Sequence, residues 1–409
     1  MKINIASARN KRRMLAAAAL VCVSATALMG CRAATDDSTE STASVQGISD
    51  TEIKIAGSFP FSGATAVYGT LSQGLEARFE RANAEGGIDG REIRYMSADD
   101  GYEPARAVTN ARRFIQQDEV FALVTFGGPP TMGAAPIAQE ADIVQLAIAG
   151  NGPFSNTDET PNLRSWFPSN PVEAEAVTNY VLEQNPDAKI GTLVLNNDTG
   201  IDYLDGIKKA VEENGTEIVL ETVYEGTDAT VDSQVNQLRA AGVDTVITLA
   251  LGAIPFQMTS YMSQIGWEPV VTLNESSTGL KATISNMGGS GEGALSAHYV
   301  KDPFDPQFAD DAGLAQYRED IVQYGKGADA EDFNTLKGYG LGEAMIQLLS
   351  NMDLDTITTE QFFEAWDNMP ATEVGFLLDG LVLEGGEGGR LLTQFVVSRL
   401  EGESWVPLQ

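Results

Sequence analysis

The chain has 409 residues, 43% hydrophobic, 21% charged and 8% aromatic, a globular composition long enough for two or three domain cores. Its 58 acidic against 26 basic residues give a formal charge of −32, which sets nucleic acid and anionic membrane faces aside as electrostatic partners. Cys22 and Cys31 are the only cysteines and His298 the only histidine, so the body has no thiol chemistry, no zinc site of ordinary composition and little scope for Ser-His-Asp catalysis.

Lys11, Arg12 and Arg13 precede an apolar run from Met14 to Gly30, the charged and hydrophobic regions of an export signal that is short for a membrane span. The run ends Leu28-Met29-Gly30-Cys31, which resembles the lipobox of bacterial lipoproteins, where the cysteine is acylated and becomes the mature N-terminus. A plain cleaved signal with a spare cysteine is the alternative. Removal of residues 1–30 takes away five basic and no acidic residues, moving the charge from −32 to −37. Residues 31–50, rich in Ala, Thr, Ser, Asp and Glu and without an aromatic residue, are expected to be a flexible tether.

The organising unit follows. Ile53, Ile55 and Ala56 form a short apolar run typical of a buried parallel strand, and the Pro60 to Gly63 loop lies at its carboxyl end, where open α/β sheets bind ligands. Ser62 and Thr65 are therefore candidates. Val67, Leu71, Leu75, Phe79 and Ala82 recur at helical spacing up to Gly86-Gly87. Strands at 93–98, 121–126 and 143–149 alternate with helices at 104–117 and 131–140, and the alternation restarts after Trp166-Phe167-Pro168 and runs to a strand at 269–273. Strands separated by helices imply parallel sheets with right-handed crossovers. The expected fold is α/β, two doubly wound parallel-sheet lobes in tandem with a cleft between them.

Pro60-Phe61-Ser62-Gly63, Tyr68-Gly69, the run Asn83 to Arg91, Asp99-Asp100 with Pro104, Asn196 to Gly200, Asp232-Ser233-Gln234, Gly242-Val243-Asp244 and Tyr299 to Pro303 occur in this order. In that order and spacing the chain resembles the type I periplasmic solute-binding proteins, in the branch of the leucine/isoleucine/valine receptors of ABC importers. The resemblance implies two lobes joined by a hinge of three crossings, near 167–171, 295–300 and 379–387. It puts 51–168 plus 301–385 in lobe 1 and 169–300 plus 386–409 in lobe 2, with Leu391, Leu392, Phe395 and Val396 in a closing strand. It also implies a small-molecule ligand, permease subunits as partners, a lipid anchor at Cys31, an extracytoplasmic location, a monomer, and no cofactor, metal or catalytic residue.

Carried over position by position, the resemblance makes Ser62 and Tyr68 walls of the ligand site. Gly127, Gly128 and Thr131 become donors to a carboxylate, although Pro129 and Pro130 between them have no N–H. Ala149, Gly150 and Asn151 are the backbone-contact segment. In the second lobe Thr199 stands where a tyrosine is common, Leu251 makes an apolar wall, and Glu275 lies near the family's partner for a ligand ammonium. If Glu275 faces the cleft an α-amino acid fits, and otherwise a neutral or anionic solute fits better.

Other features have plainer explanations. Gly338-Tyr339-Gly340-Leu341-Gly342 lacks GxGxxG spacing and reads as helix packing. Asp302, Asp305, Asp310 and Asp311 lack the alternation of a calcium loop, and His298 reads as structural. The implied function is an importer receptor for a branched-chain or other apolar amino acid. The alternatives are a receptor for an aromatic or aliphatic carboxylate, and a sensor that works through a partner protein.

Overall fold

Each apolar run of the first half is followed by a helix, so the strands must line up in parallel. The computed structural model describes residues 45–386 and 388–408. In it β1 (Glu52–Phe59), β2 (Glu92–Asp99), β3 (Ala122–Phe126), β4 (Val144–Ile148) and β5 (Leu163–Ser165) form a parallel sheet in the order β2-β1-β3-β4-β5. Helices α1 (Thr70–Ala84), α2 (Pro104–Gln116) and α3 (Gly128–Glu140) make the crossovers. Strands β3 and β4 are buried at every position because helices cover both faces. The short β5 is absent from the sequence expectation, since three residues carry no periodicity.

The second sheet contains β6 (Ile190–Leu195), β7 (Leu220–Tyr224), β8 (Thr245–Leu249), β9 (Val270–Thr272), β10 (Leu295–His298), β11 (Val396–Glu401) and β12 (Ser404–Pro407), in the order β12-β11-β10-β9-β8-β6-β7. Helices α4 (Asn170–Gln184), α5 (Asp198–Glu213), α6 (Asp232–Ala240), α7 (Ile254–Gln264) and α8 (Leu280–Met287) accompany it. Its last two strands run antiparallel.

Between β10 and β11 the chain returns to the first lobe as α9 (Ala312–Tyr324), α10 (Phe333–Leu349) and α11 (Thr359–Asp367), with α9 and α10 packed on α1. Gly74 and Gly338 allow α1 and α10 to touch backbone to backbone. A methyl group on either would stand 1.8 Å from the carbonyl oxygen of Thr335 or Leu71, so the Gly338 to Gly342 run serves helix packing.

Two boundaries differ from expectation. Arg390 still pairs with Ser165 of the first sheet, so the last crossing comes after Arg390 and not at 379–387. The buried Arg390 guanidinium donates to the carbonyls of Phe167 and Asn151, which ties this segment to the first lobe, and Leu391, Leu392 and Phe395 precede β11. At the other end the expected tether stops early. Gln46 donates to the carbonyls of Ile115 (3.1 Å) and Val120 (3.2 Å), and Ile48 bridges Ile53, so residues 45–50 belong to the folded body. The signal segment, Cys31 and the tether up to residue 44 lie outside the described residues. Among the described residues no helix is long and apolar enough to cross a membrane.

Candidate functional site

The loops at the carboxyl ends of β3 and β4 meet those at the carboxyl ends of β8 and β9 around one cavity. It encloses about 530 Å³ of atom-free space, the part open to solvent included. Tyr102, Phe126, Phe167, Leu251, Tyr299 and Phe395 supply most of its apolar wall. Asn151, Asn170, Thr199, Asn274 and Ser276 place amides and hydroxyls around it, and Glu173 and Glu275 stand in the lining as well.

The lobes touch directly. The Asn151 amide donates to the Thr199 hydroxyl at 3.3 Å, and the Gly152 N–H donates to Asp202 at 2.6 Å. Thr199 is presented by the first turn of α5, which Asn197 caps by accepting from the Gly200 N–H at 3.1 Å. The Tyr68 hydroxyl lies 3.3 Å from that of Ser277 and accepts from the Gly252 N–H at 3.5 Å, both across the cleft.

Of the residues singled out in the sequence, Gly127, Ala149, Gly150, Asn151, Thr199, Leu251 and Glu275 lie in this lining, and Ser62, Thr65, Tyr68, Gly128 and Thr131 lie outside it. Ser62 donates to Asp99 at 2.6 Å and closes its own loop. Tyr68 is buried behind the wall and stacks on Phe126 at 4.7 Å between ring centres. Gly128 is one layer back, where a methyl group would stand 2.6 Å from the Thr199 hydroxyl. The Thr131 hydroxyl donates to Thr125 at 2.9 Å, inside the first lobe. The start of α3 is poor in donors, because Pro129 and Pro130 have no N–H and that of Thr131 goes to the Gly127 carbonyl at 3.2 Å.

Tyr102 escaped the sequence reading, and the only trace of it is an aromatic residue after the turn-forming Asp99-Asp100-Gly101. Its backbone has φ of 65°, a left-handed conformation that is rare for an aromatic residue, held by its N–H donating to Asp100 at 2.8 Å. Its ring packs over Gly127, where a methyl group would come within 2.2 Å. Burial pushes its phenol up to about 12, although hydrogen bonds to Thr199 and Asn197 oppose the shift.

One end of the cavity is acidic. Glu275 forms an ion pair with Lys337 of α10 at 3.0 Å, the two side chains only 3% and 1% exposed. The Lys337 ammonium also lies over the rings of Phe333 (4.6 Å) and Phe167 (5.0 Å). The Glu275 N–H donates to Glu173 of α4 at 2.7 Å, and the Tyr203 hydroxyl donates to the same oxygen at 3.4 Å. Burial raises the Glu173 carboxyl to about 8, with the N–H of Glu275 and the charge of Lys337 working against the shift. Burial also raises Glu275, opposed mainly by Lys337. Glu275 thus faces the cavity with its charge already matched.

His298 lies beside this cluster, its Nε2 3.0 Å from the Thr278 hydroxyl and its ring 4.7 Å from that of Trp405. Burial lowers it to about 3, so it is neutral. Asp302 and Asp305 spend their oxygens on the N–H groups of Leu280, Phe304, Gln307 and Trp405. Outside the cavity, and sharing Tyr102 and Leu251 with it, lies a wider space of about 1330 Å³ with Glu103, Glu225 and Asp228 in its wall.

The sequence profile of a family described as periplasmic binding protein matches residues 52–402. The Leu/Ile/Val-binding protein homolog 2 of Brucella abortus is 25% identical over 204 residues, covering 49% of this chain and 54% of that protein, so the chain spans about half the length of that relative. Among the solved structures that share the fold are two that cover 88% of this chain. A branched-chain amino acid ABC transporter protein from Thermus thermophilus, solved with bound valine, has a TM-score of 0.79 at 15% identity and 96% coverage of that chain. A fatty acid ABC transporter substrate-binding protein from Thermomonospora curvata has 0.74 at 19% identity and 92% coverage.

Proposed function

The chain belongs to the periplasmic binding protein family, and from that premise we propose that it is an extracytoplasmic receptor that hands a small organic solute to the permease of an ABC importer. The solute is a branched-chain or other apolar amino acid. One observation carries this reading: a cavity enclosed between two lobes, walled by aromatic and aliphatic side chains and edged by amides, hydroxyls and two carboxyl groups. A site built from both lobes holds them closed when filled, since the ligand's contacts with both exist only in that state. The Leu/Ile/Val-binding relative points to the same ligand class.

A simple carboxylate is the weaker reading. No Lys or Arg stands in the described lining, the start of α3 offers few donors, and the wider space outside carries carboxylates. The α-carboxylate of an amino acid is met by the amides of Asn151 and Asn170 and the hydroxyl of Ser276, and its ammonium suits the acidic end. We place the receptor on the membrane through acylated Cys31, as a monomer; mass spectrometry of the natively produced chain then finds a diacylglycerol adduct there, and an unmodified cysteine ends that part of the proposal.

The ligand test is a thermal-shift series on chain refolded free of bound solute. A ligand at about 1,000 times its dissociation constant adds roughly 4 kcal/mol to stability. Leucine, isoleucine or valine raises the unfolding temperature by several degrees. A response only to carboxylates that lack an ammonium group overturns the ligand class and leaves the receptor role.

A further inference from the structure

Among the described residues, the acidic end of the cavity has one carboxyl group more than it has cations. Glu275 is matched by Lys337, whereas Glu173 is buried in the lining with only an N–H and a phenol on its Oε1 atom. We propose that Glu173 is the counter-ion for the ammonium group of the bound amino acid, and that binding expels the proton that Glu173 otherwise holds. The assignment rests on the amino-acid reading of the site and adds the residue and the linked proton. The step balances: the carboxyl proton goes to solvent, and the ligand's ammonium takes its place beside the carboxylate. Glu275 cannot accept a second cation on equal terms, because Lys337 already neutralises it at 3.0 Å.

The groups around Glu173 leave this role to it. Tyr203 of α5 and Tyr299 after β10 are phenols that burial keeps protonated, and His298 of β10 is neutral. Arg399 of β11 is turned to Tyr180, two turns further along α4, at 3.5 Å. Lys337 acts on Glu173 through its charge, and Glu275 holds it at 3.0 Å. Free of ligand, Glu173 with its carboxyl near 8 is mostly protonated at neutral pH. Bound ammonium stabilises the ionised form, so protons and ligand compete for the carboxylate.

The experiment is titration calorimetry of the full chain with leucine at pH 7 in phosphate and in Tris, whose ionisation enthalpies differ. The expected result is release of roughly one proton per leucine and an affinity that rises up to about tenfold per unit from pH 6 to 8. Glu173→Gln keeps an acceptor for the Glu275 N–H; it should abolish the proton release, flatten the pH profile and weaken leucine at least about tenfold at pH 8. Leucine binding by the wild type without proton release overturns the assignment, whether or not the variant folds. Failure of leucine, isoleucine and valine to bind at all removes the amino-acid reading and this assignment with it, a result distinct from binding without proton release.

Discussion

Replacing Lys337 by Met removes the cation that keeps Glu275 ionised in a site where both side chains are almost wholly enclosed. Breaking one side of such a pair costs about 3–5 kcal/mol, because the remaining charge stays buried. Glu275 can limit the loss by taking up a proton. From an ordinary glutamate value of about 4.3, that costs roughly 3.7 kcal/mol at pH 7 and about 1 kcal/mol at pH 5, at 1.36 kcal/mol per pH unit. The folded-state value in the variant is raised, so its penalty is small near the unfolded value and grows as pH rises. Urea unfolding followed through Trp166, Trp267, Trp366 and Trp405 fluorescence gives the stability difference at both pH values. Adding Glu275→Gln to the variant should recover most of the loss at pH 7, because no buried charge then remains. A loss under about 1 kcal/mol at pH 7 with no dependence on pH refutes the reasoning.

Three further outcomes follow from the geometry. Gly338→Ala drives a methyl group into the Leu71 carbonyl, so equilibrium unfolding should show a loss of at least about 1–3 kcal/mol, and a neutral effect would mean that α1 and α10 separate freely. Tyr68→Phe removes a hydroxyl that meets Ser277 and Gly252 across the cleft; calorimetry should show ligand affinity about 2- to 12-fold weaker, the range of one ordinary hydrogen bond of about 0.5–1.5 kcal/mol. His298 stays neutral down to about 3, so the unfolded chain binds its proton first as pH falls below about 6.5. Its contribution is present above that value and declines towards pH 3, by about 1.4 kcal/mol per unit at most; unfolding curves of His298→Gln should lack this part of the wild-type acid sensitivity, and identical pH slopes would contradict it.

The alternation of apolar strands and amphipathic helices made β1 to β4 and β6 to β9 legible, because parallel strands buried on two faces leave continuous apolar runs, whereas the three-residue β5 and the closing strands β10 to β12 fall outside that alternation. The loops after β3, β4 and β8 were legible too, since ligand sites in such sheets lie at the carboxyl ends of the strands. Glu173 was not. Glu173 and Glu175 occupy the same helix two residues apart and look alike in sequence, yet the first is buried in the cavity wall and the second reaches Lys209 at the surface. The rotation of α4 against its neighbours separates them, and that is a tertiary quantity. Lys337 was hidden in the same way, a lone cation in a glycine-rich helix whose partner lies 62 positions earlier. Val45 and Ile48 are the two large aliphatic residues that a composition average over residues 31–50 concealed.

The most direct test of the account is a crystal structure of the refolded chain grown with leucine. One leucine is expected between Phe126, Phe167 and Leu251, with its ammonium against Glu173 and its carboxylate towards Asn151 and Ser276. Leucine in the wider space beside Glu225 and Asp228, or an empty cavity at a leucine concentration that stabilises the protein, would contradict it.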